Sequence, residues 1–303
     1  MDGRSLSDRE MMRELGVDAK TLARFKQVQA NAIAEAKRLF AKRKGKIKVL
    51  GISGSMRDAS DMAQESSNSE ELLRRFLRYC EKLGAETELL RLRDHRVEPC
   101  RACYSTTNTQ CHFYCSCYPK GESGDDMTNK IYDKLLAADA IVLATPVNNF
   151  KISTLMATFI DRCISMDGSL EPADTKSPKD RALNIKHTQF IELAARDDVP
   201  GSGLLRRFAG KVGAVIVSGH EAGASMAISN LFLTLNNYGM LFPPFSHMYA
   251  MSSICNSTYK DKKIVLSECY DEELKVLARN LMLATRTARE VRGSEWAYDN
   301  GKN

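Results

Sequence analysis

A cluster of hydroxyl side chains and one guanidinium group follows the first apolar run of the sequence. Val49, Leu50 and Ile52 form this run, and an amphipathic helical pattern begins at Glu70. Small residues between the two let backbone N–H groups approach a ligand, and the helix adds the partial positive charge of its N-terminus. The segment is therefore suited to bind a phosphate dianion. Its polar candidates are Ser53, Ser55, Arg57, Ser67 and Ser69.

Two familiar phosphate-binding motifs are absent from this loop. Neither GxxxxGK[ST] nor GxGxxG occurs between residues 48 and 69. Their absence excludes a nucleoside-triphosphatase loop and a standard dinucleotide-binding loop. Two interpretations stay open: a phosphate site built mainly from hydroxyl groups, and an ordinary strand, turn and helix with a serine-rich connection.

A second candidate site is a group of five cysteines between Pro99 and Pro119. A CxxC turn can bring two thiolates to one metal ion or cluster, and two more from the same loop would complete a four-sulfur site. The later spacing matches neither a zinc finger nor a bacterial ferredoxin. An iron-sulfur cluster, a zinc site and free or redox-active thiols are therefore all open. The five residues are Cys100, Cys103, Cys111, Cys115 and Cys117.

Two further apolar segments end in polar loops. Residues 140–144 and 211–217 are continuously apolar, or nearly so, which is typical of strands buried in a parallel sheet. In open α/β sheets, ligands bind at the carboxyl ends of such strands. The loops at 145–150 and 218–223 are thus candidate ligand loops. His220 in the second loop has two interpretations, a ligand contact and a structural role.

The elements that must position these loops alternate between strand and helix. Patterns at 70–83, 125–136, 153–165, 226–238 and 271–291 are helical, and residues 86–92 form another strand. This alternation predicts a doubly wound parallel sheet. Asp161 and Arg162 are expected to form an internal ion pair. The predicted organisation is a helical extension at 1–45, a domain at 46–292 with a Cys-rich loop at 99–119 and an insertion at 168–208, and a tail at 293–303.

Length and composition limit the class of protein. The 303 residues are 43% hydrophobic and 27% charged, as expected for a globular protein with a full core. The net charge of +6 is mild and dispersed, which argues against a nucleic-acid partner. The sequence has neither a long apolar run nor a signal peptide, so we expect a cytoplasmic protein without a membrane partner. Nine cysteines in such a protein favour metal binding, redox chemistry or buried thiols over disulfides.

Several motifs occur in an order that resembles a known family. They are GSMR, then SSNS after an inserted stretch, PCRAC, DDM followed by LL, ADAIVLATPV, FIDR, GKVGAVIVSGHEAG and NYGM. Together they resemble the NADPH-dependent FMN reductase family of flavodoxin-like proteins over residues 47–245. The cysteine loop resembles that of its iron-sulfur flavoprotein branch. The resemblance implies a flavodoxin-like, five-stranded, doubly wound parallel α/β sheet with helices on both faces.

The resemblance also implies roles for individual residues. The first loop would hold the FMN 5'-phosphate, the second would lie along the isoalloxazine ring, and the third would lie near the pyrimidine side of the ring. The implied FMN residues are Ser53, Ser55, Met56, Arg57, Ser67, Asn68 and Ser69; Pro146, Val147, Asn148, Asn149 and Phe150; and Ser218, Gly219, His220 and Gly223. The implied ligands of a [4Fe-4S] cluster are Cys100, Cys103, Cys111 and either Cys115 or Cys117.

Three positions depart from the family pattern. The interval from Arg57 to Ser67 is longer than usual, so Ser60 and Ser67 both qualify for the inner serine role. Asn148 stands where an aromatic residue usually follows the Pro-Val pair, with Phe150 as a possible substitute. Thr106 occupies the third position of the compact CxxCxxC motif, which makes the cluster less secure than the flavin.

The implied chemistry is hydride transfer from NADPH or NADH to FMN, which requires no catalytic acid or base. With a cluster, single electrons would pass to a protein or small-molecule acceptor. Without one, reduction of flavin, quinone, nitro or azo compounds is the alternative, and a non-enzymatic electron carrier is a third. A homo-oligomer, dimer or tetramer, is expected from the family.

Overall fold

A parallel sheet with two buried faces forms the centre of the protein. The computed structural model describes residues 6–62, 64–103, 111–219, 223–251 and 268–291. Five parallel strands run in the order β2-β1-β3-β5-β6, and a short antiparallel strand, β4, pairs with β3. The order reverses direction beside β1, so β1 and β3 flank the topological switch point. The strands are β1 (Lys48–Ser53), β2 (Glu86–Arg91), β3 (Ala140–Asn148), β4 (Lys151–Ile152), β5 (Val212–Gly219) and β6 (His247–Met251).

The apolar runs of the central strands are continuous because both faces of the sheet are covered. Side chains alternate between faces along a strand. Ile141 and Leu143 of β3 pack into one core, and Ala140, Val142 and Ala144 pack into the other. The observed sheet confirms the predicted doubly wound α/β architecture.

Helices cover both faces, and their bounds differ from the sequence prediction by a few residues. Helices α3 and α8 cover one face, and α4, α5 and α7 contribute to the core of the other. No helix in the described ranges combines the length and apolar character that crossing a membrane requires. The helices are α1 (Asp8–Leu15), α2 (Ala19–Phe40), α3 (Asn68–Lys82), α4 (Tyr132–Ala137), α5 (Thr154–Cys163), α6 (Arg181–Ala194), α7 (Ala224–Asn237) and α8 (Glu268–Val291).

The N-terminal helices pack against the insertion of their own chain. Ser7 and Glu10 form a capping box at the start of α1, and Gly16 then ends this helix with a left-handed backbone (φ 61°) before Asp18 caps α2. Both helices share a separate apolar core with α6, which includes Phe25 and Phe190. The extension at 1–45 and the insertion at 168–208 therefore bury each other's apolar faces.

The predicted ion pair between Asp161 and Arg162 is wrong. Arg162 pairs instead with Asp125, with Nη1 to Oδ1 and Nη2 to Oδ2 distances of 2.9 Å. Asp161 lies on the exposed side of the same helix. Neighbouring residues of a helix point in directions about 100° apart, so they seldom pair with each other.

Candidate functional site

The first strand ends in a cluster of buried serine hydroxyls, Ser53, Ser55, Ser67 and Ser69, which we call the serine cluster. Ser67 is the N-cap of α3; its hydroxyl accepts a hydrogen bond from the backbone N–H of Glu70 (3.4 Å) and lies 3.0 Å from the hydroxyl of Ser69. The cluster therefore joins hydroxyl groups to the positive end of a 15-residue helix. This arrangement can bind an anion.

The predicted residues that flank the serine cluster are more exposed. Met56 is largely exposed, and Asn68 is the half-buried first residue of α3. Arg57 forms ion pairs with two acids of the long loop: its Nε lies 3.4 Å from Asp61, and its Nη2 lies 3.8 Å from Glu65. The extra residues of this loop thus supply carboxylates to the arginine that the family pattern assigns to phosphate.

Beside the serine cluster lies a buried carboxylate that the sequence pattern does not indicate. Glu70 accepts hydrogen bonds from Arg74 (2.8 Å), Arg91 (2.8 Å) and Arg93, and from the Ser53 hydroxyl (3.4 Å). Burial alone would raise the pKa of Glu70, but the hydrogen bonds from the guanidinium groups outweigh it and lower the pKa to about 2. Glu70 is therefore a permanent anion at neutral pH that fixes three cations.

Glu70 gives the protein a predictable response to acid. Because the pKa of Glu70 in the folded state is about 2 and an unfolded glutamate has a pKa of about 4.3, its stabilising effect is complete above the unfolded value and is lost as the pH falls toward 2. Glu70→Gln is expected to cost about 2 kcal/mol of unfolding free energy at pH 7, and less at pH 3. Urea unfolding at both pH values checks this.

Glu71→Gln is the control for the Glu70 variant. Glu71 lies on the same helix and pairs with Arg75 at 3.4 Å with more of its side chain exposed, so its replacement is expected to cost below about 1 kcal/mol. Equal losses in the two variants, or a Glu70→Gln loss that grows toward pH 3, would contradict the assignment.

The predicted ring loop at 146–150 is mostly strand. Pro146, Val147 and Asn148 are the last residues of β3, and the turn to β4 contains only Asn149 and Phe150. Both turn residues have left-handed backbone (φ 49° and 63°), which is rare for a bulky residue such as phenylalanine and often marks a functional loop. The turn holds the Phe150 side chain 58% exposed to solvent.

The end of β5 packs tightly on this hairpin. Ser218 is buried, and a Cβ atom added at Gly219 would lie 3.0 Å from the Val147 Cβ. At Gly223 an added Cβ would lie only 2.4 Å from the Phe150 Cα. Glycine at Gly223 therefore allows the two chain segments to touch. His220 lies outside the described residues.

Gly223→Ala is expected to force the hairpin and α7 apart, because the nearest atom is backbone and cannot rotate away. We expect a loss of about 1–3 kcal/mol in unfolding free energy and weaker FMN binding. Gly124→Ala is the control: its added Cβ would meet only the end of the Arg96 side chain, at 3.4 Å, and should cost below about 0.5 kcal/mol. Thermal unfolding and FMN titration of both variants test this, and indistinguishable variants would contradict it.

The sheet register brings the three strand ends to one edge. Ser53 pairs with Ala144, and Pro146 pairs with Ser218. The Ser153 hydroxyl donates to the Gly54 carbonyl at 2.5 Å and so ties the start of α5 to the first loop. The structure thus places the serine cluster, the β3–β4 turn and the end of β5 along the carboxyl edge of the sheet.

Four of the five clustered cysteines line one cavity. Cys103, Cys111, Cys115 and Cys117 border a space of about 300 Å³, together with His112 and the basic side chains of Arg101, Lys179 and Arg181. The Cys117 and Cys103 sulfurs are 3.9 Å apart. Contact with Cys111 raises the pKa of Cys103 to about 11, with burial adding to the effect, so this thiol is protonated at neutral pH. Residues 104–110 lie outside the described part of the chain.

Cys100 does not line this cavity. Its sulfur accepts a hydrogen bond from the backbone N–H of Ala102 at 3.4 Å. Within the described ranges, no group of three or more His, Cys, Asp or Glu side chains is arranged to hold a metal ion. The donor set is nonetheless suitable for a metal, since four thiols in one loop form a typical four-sulfur ligand set.

A buried arginine anchors both ends of the cysteine loop. Arg162 donates to the Glu98 carbonyl (2.8 Å) before the loop and stacks on the Tyr118 ring near its end, with 4.5 Å from Cζ to the ring centroid. The Tyr118 hydroxyl donates to the Pro99 carbonyl at 2.8 Å and closes the loop. Burial would raise the pKa of Asp125, but hydrogen bonds from Arg162 and from two backbone N–H groups lower it.

A known family model matches the segment of the chain that contains strands β1 to β4. Residues 47–178 match the model of NADPH-dependent FMN reductase. This segment contains the serine cluster, the cysteine loop and the β3–β4 hairpin. Over this segment, which is less than half of the chain, the protein is similar to the NADPH-dependent FMN reductase family.

Curated relatives of this chain share the name iron-sulfur flavoprotein. One from Archaeoglobus fulgidus is 31% identical over 115 residues, which is 38% of this chain and 50% of the relative. One from Methanosarcina thermophila is 28% identical over 118 residues, which is 39% of this chain and 53% of the relative. The matches thus span about half the length of these relatives. They support the iron-sulfur flavoprotein branch of the FMN reductase family.

Solved structures support the flavodoxin-like fold. The chain superposes on the crystal structure of RosB with its bound intermediate 8-demethyl-8-formylriboflavin-5'-phosphate with a TM-score of 0.59 and 18% identity, covering 84% of this chain and 83% of RosB. This superposition covers more of the chain than the FMN reductase match does.

Proposed function

We propose that this protein binds FMN at the carboxyl edge of its sheet and acts as an FMN-dependent oxidoreductase. The observation that carries the proposal is the meeting of three strand ends at one edge, with buried hydroxyls at β1 and the β3–β4 hairpin packed closely against Gly219 and Gly223. The match of residues 47–178 to the model of NADPH-dependent FMN reductase supports it.

Ser55, Ser67 and Ser69 suit the flavin phosphate. They are buried hydroxyls at the N-terminus of α3, where hydroxyl donors, backbone N–H groups and the helix dipole all favour an anion. The serine cluster contains no Lys or Arg. The negative charge of the phosphate would therefore be balanced by the N-terminus of α3 and by neighbouring guanidinium groups.

The hairpin and the β5 end suit the flavin ring. The backbone from Pro146 to Phe150 presents a narrow, rigid turn, and Phe150 offers the exposed aromatic face that Asn148 lacks. Ser218 and Gly219 lie beside Pro146 and Val147 across the β3–β5 pairing. FMN, when bound, supplies a ring that takes up a hydride and releases electrons one or two at a time. The protein residues would orient the ring and keep one face open to a second reactant.

We propose NADPH or NADH as the electron donor. Hydride transfer from a nicotinamide to a flavin requires no catalytic acid or base. The protein would therefore contribute by positioning the two reactants and by hydrogen bonding to the flavin. Mixing FMN-loaded protein with either nicotinamide in the absence of oxygen tests the donor. We expect loss of the flavin absorbance, with a preference for one of the two.

We further propose that Cys103, Cys111, Cys115 and Cys117 are the ligands of an iron-sulfur cluster. They share one cavity, and Arg101, Lys179 and Arg181 at its border complement the negative charge of a four-thiolate site. The family resemblance assigns Cys100 as a ligand, whereas its position outside the cavity favours the other four. A cluster supplies one-electron transfer, so the acceptor would be a protein or a small molecule that takes single electrons.

Metal analysis of protein purified without oxygen tests the cluster. We expect about four irons and four sulfides per chain. Zinc in place of iron would identify a structural site. The absence of both metals would mean that the cysteines act as thiols. Either result would favour two-electron acceptors such as flavins, quinones or nitro compounds. We also propose a homo-oligomer, which light scattering tests.

A further inference from the structure

Two arginines lie close to the serine cluster, and they are held differently. Arg57 belongs to the long loop and forms ion pairs with two carboxylates of that loop, Asp61 at 3.4 Å and Glu65 at 3.8 Å. Arg93 follows β2 in the turn at Leu92–Asp94, and only 14% of its side chain is exposed. The sequence pattern points to Arg57, whereas burial favours Arg93.

Arg93 is fixed on both sides of its guanidinium group. Its Nη1 donates to the buried Glu70 carboxylate and lies 3.5 Å from the Ser55 carbonyl. Its Nε faces two more exposed carboxylates at longer range, Asp58 at 4.0 Å and Asp94 at 3.9 Å. Among the residues that the structure describes, no hydrogen-bond acceptor occupies Nη2. The Arg93 guanidinium group therefore lies beside the backbone of the serine cluster with its Nη2 able to donate to a ligand.

This arrangement matches the requirements of a phosphate ligand. Arginine binds phosphate with strong, directional hydrogen bonds, and a guanidinium group that is already held in place loses little entropy on binding. Glu70 supplies the restraint because it is buried and its pKa is lowered to about 2. Arg57 is more exposed than Arg93, and its partners Asp61 and Glu65 are less buried than Glu70, so Arg57 is held less firmly.

We infer that Arg93, positioned by Glu70, contacts the 5'-phosphate of FMN and makes the protein prefer FMN to riboflavin. Arg57 makes the smaller contribution. The inference rests on the proposed function, because it assigns a residue within the proposed FMN site.

Titration of flavin-free protein with FMN and with riboflavin tests the inference. Riboflavin lacks the phosphate, so the ratio of the two dissociation constants isolates phosphate recognition from the general integrity of the fold. We expect Arg93→Gln to reduce the preference for FMN by about tenfold or more, with riboflavin binding nearly unchanged. Arg57→Gln is the matched control and should reduce the preference by no more than about threefold.

Arg93→Lys covers the case in which Arg93→Gln fails to fold. Lysine keeps a positive charge that can pair with Glu70, but it lacks a second nitrogen that can donate to the phosphate. We therefore expect the preference for FMN to fall by about threefold or more. A preference within about twofold of the wild type in the folded Arg93 variants, or a larger loss in Arg57→Gln, would overturn the inference and leave the proposed function intact. A wild-type protein that binds neither flavin would instead overturn the proposed function.

Discussion

Replacing Arg162 with methionine is expected to lower the free energy of unfolding by about 3–5 kcal/mol, because it would leave Asp125 as a buried, unpaired carboxylate. The pair is almost fully buried and bidentate, with both Nη to Oδ distances at 2.9 Å. The change would also remove the donor to the Glu98 carbonyl and the cation on the Tyr118 ring. Urea unfolding at pH 7 measures the loss.

Two further variants make the Arg162 result specific. Arg196→Met removes the cation from an exposed pair with Asp198 (2.7 Å) and should cost below about 1 kcal/mol. Asp125→Asn combined with Arg162→Met should recover part of the stability lost in Arg162→Met, because no uncompensated charge is left. A loss in Arg162→Met as small as that in Arg196→Met would contradict the role of the buried pair.

The second large effect is expected at the cysteine loop. Cys103→Ser should remove most of the iron and sulfide, because Cys103 borders the cavity and contacts Cys117 and Cys111. Cys100→Ser should retain about four irons per chain, because Cys100 does not line the cavity. Iron and sulfide analysis of both variants, with FMN content as a check on folding, measures the difference.

The Cys100 variant is the matched control, since it removes a thiol from the same loop. Loss of iron in both variants would return the ligand set to the family pattern, which includes Cys100 and Cys103. Loss of iron in Cys100→Ser with retention in Cys103→Ser would contradict both ligand sets.

The central strands could be predicted because both of their faces are buried, which makes their sequences continuously apolar. Strand β6, the sequence HMYAM, gives no such signal. Among the described strands it pairs with β5 alone, and both of its terminal residues, His247 and Met251, are exposed. Its existence could be expected only from the family resemblance, whose five parallel strands the structure confirms.

The serine residues of the site were also predictable, because they are local to one strand, loop and helix. Glu70 and its arginines were not, since the parallel pairing of β1 with β2 brings Arg91 opposite Ser53. That register depends on tertiary structure. The Glu70 and Arg74 spacing of four residues is the one local signal, and it is common on exposed helix faces.

The cysteine spacing predicted a shared site but could not select its members. Which thiols converge depends on the contacts that close the loop, made by Arg162 and Tyr118 from distant parts of the sequence. The partner of the N-terminal helices was likewise undecided by their sequence, because an apolar helix face fits a neighbouring subunit as well as the chain's own insertion. The structure shows the insertion.

Anaerobic reduction of the FMN-loaded protein by NADPH or NADH tests the proposal that the protein is an FMN-dependent oxidoreductase. Free FMN in the same buffer is the reference, since its reaction with nicotinamides lacks any positioning by protein. We expect bound FMN to lose its absorbance at least about a hundredfold faster than free FMN. A protein that binds no FMN, or bound FMN that reacts no faster than free FMN with either nicotinamide, would contradict it.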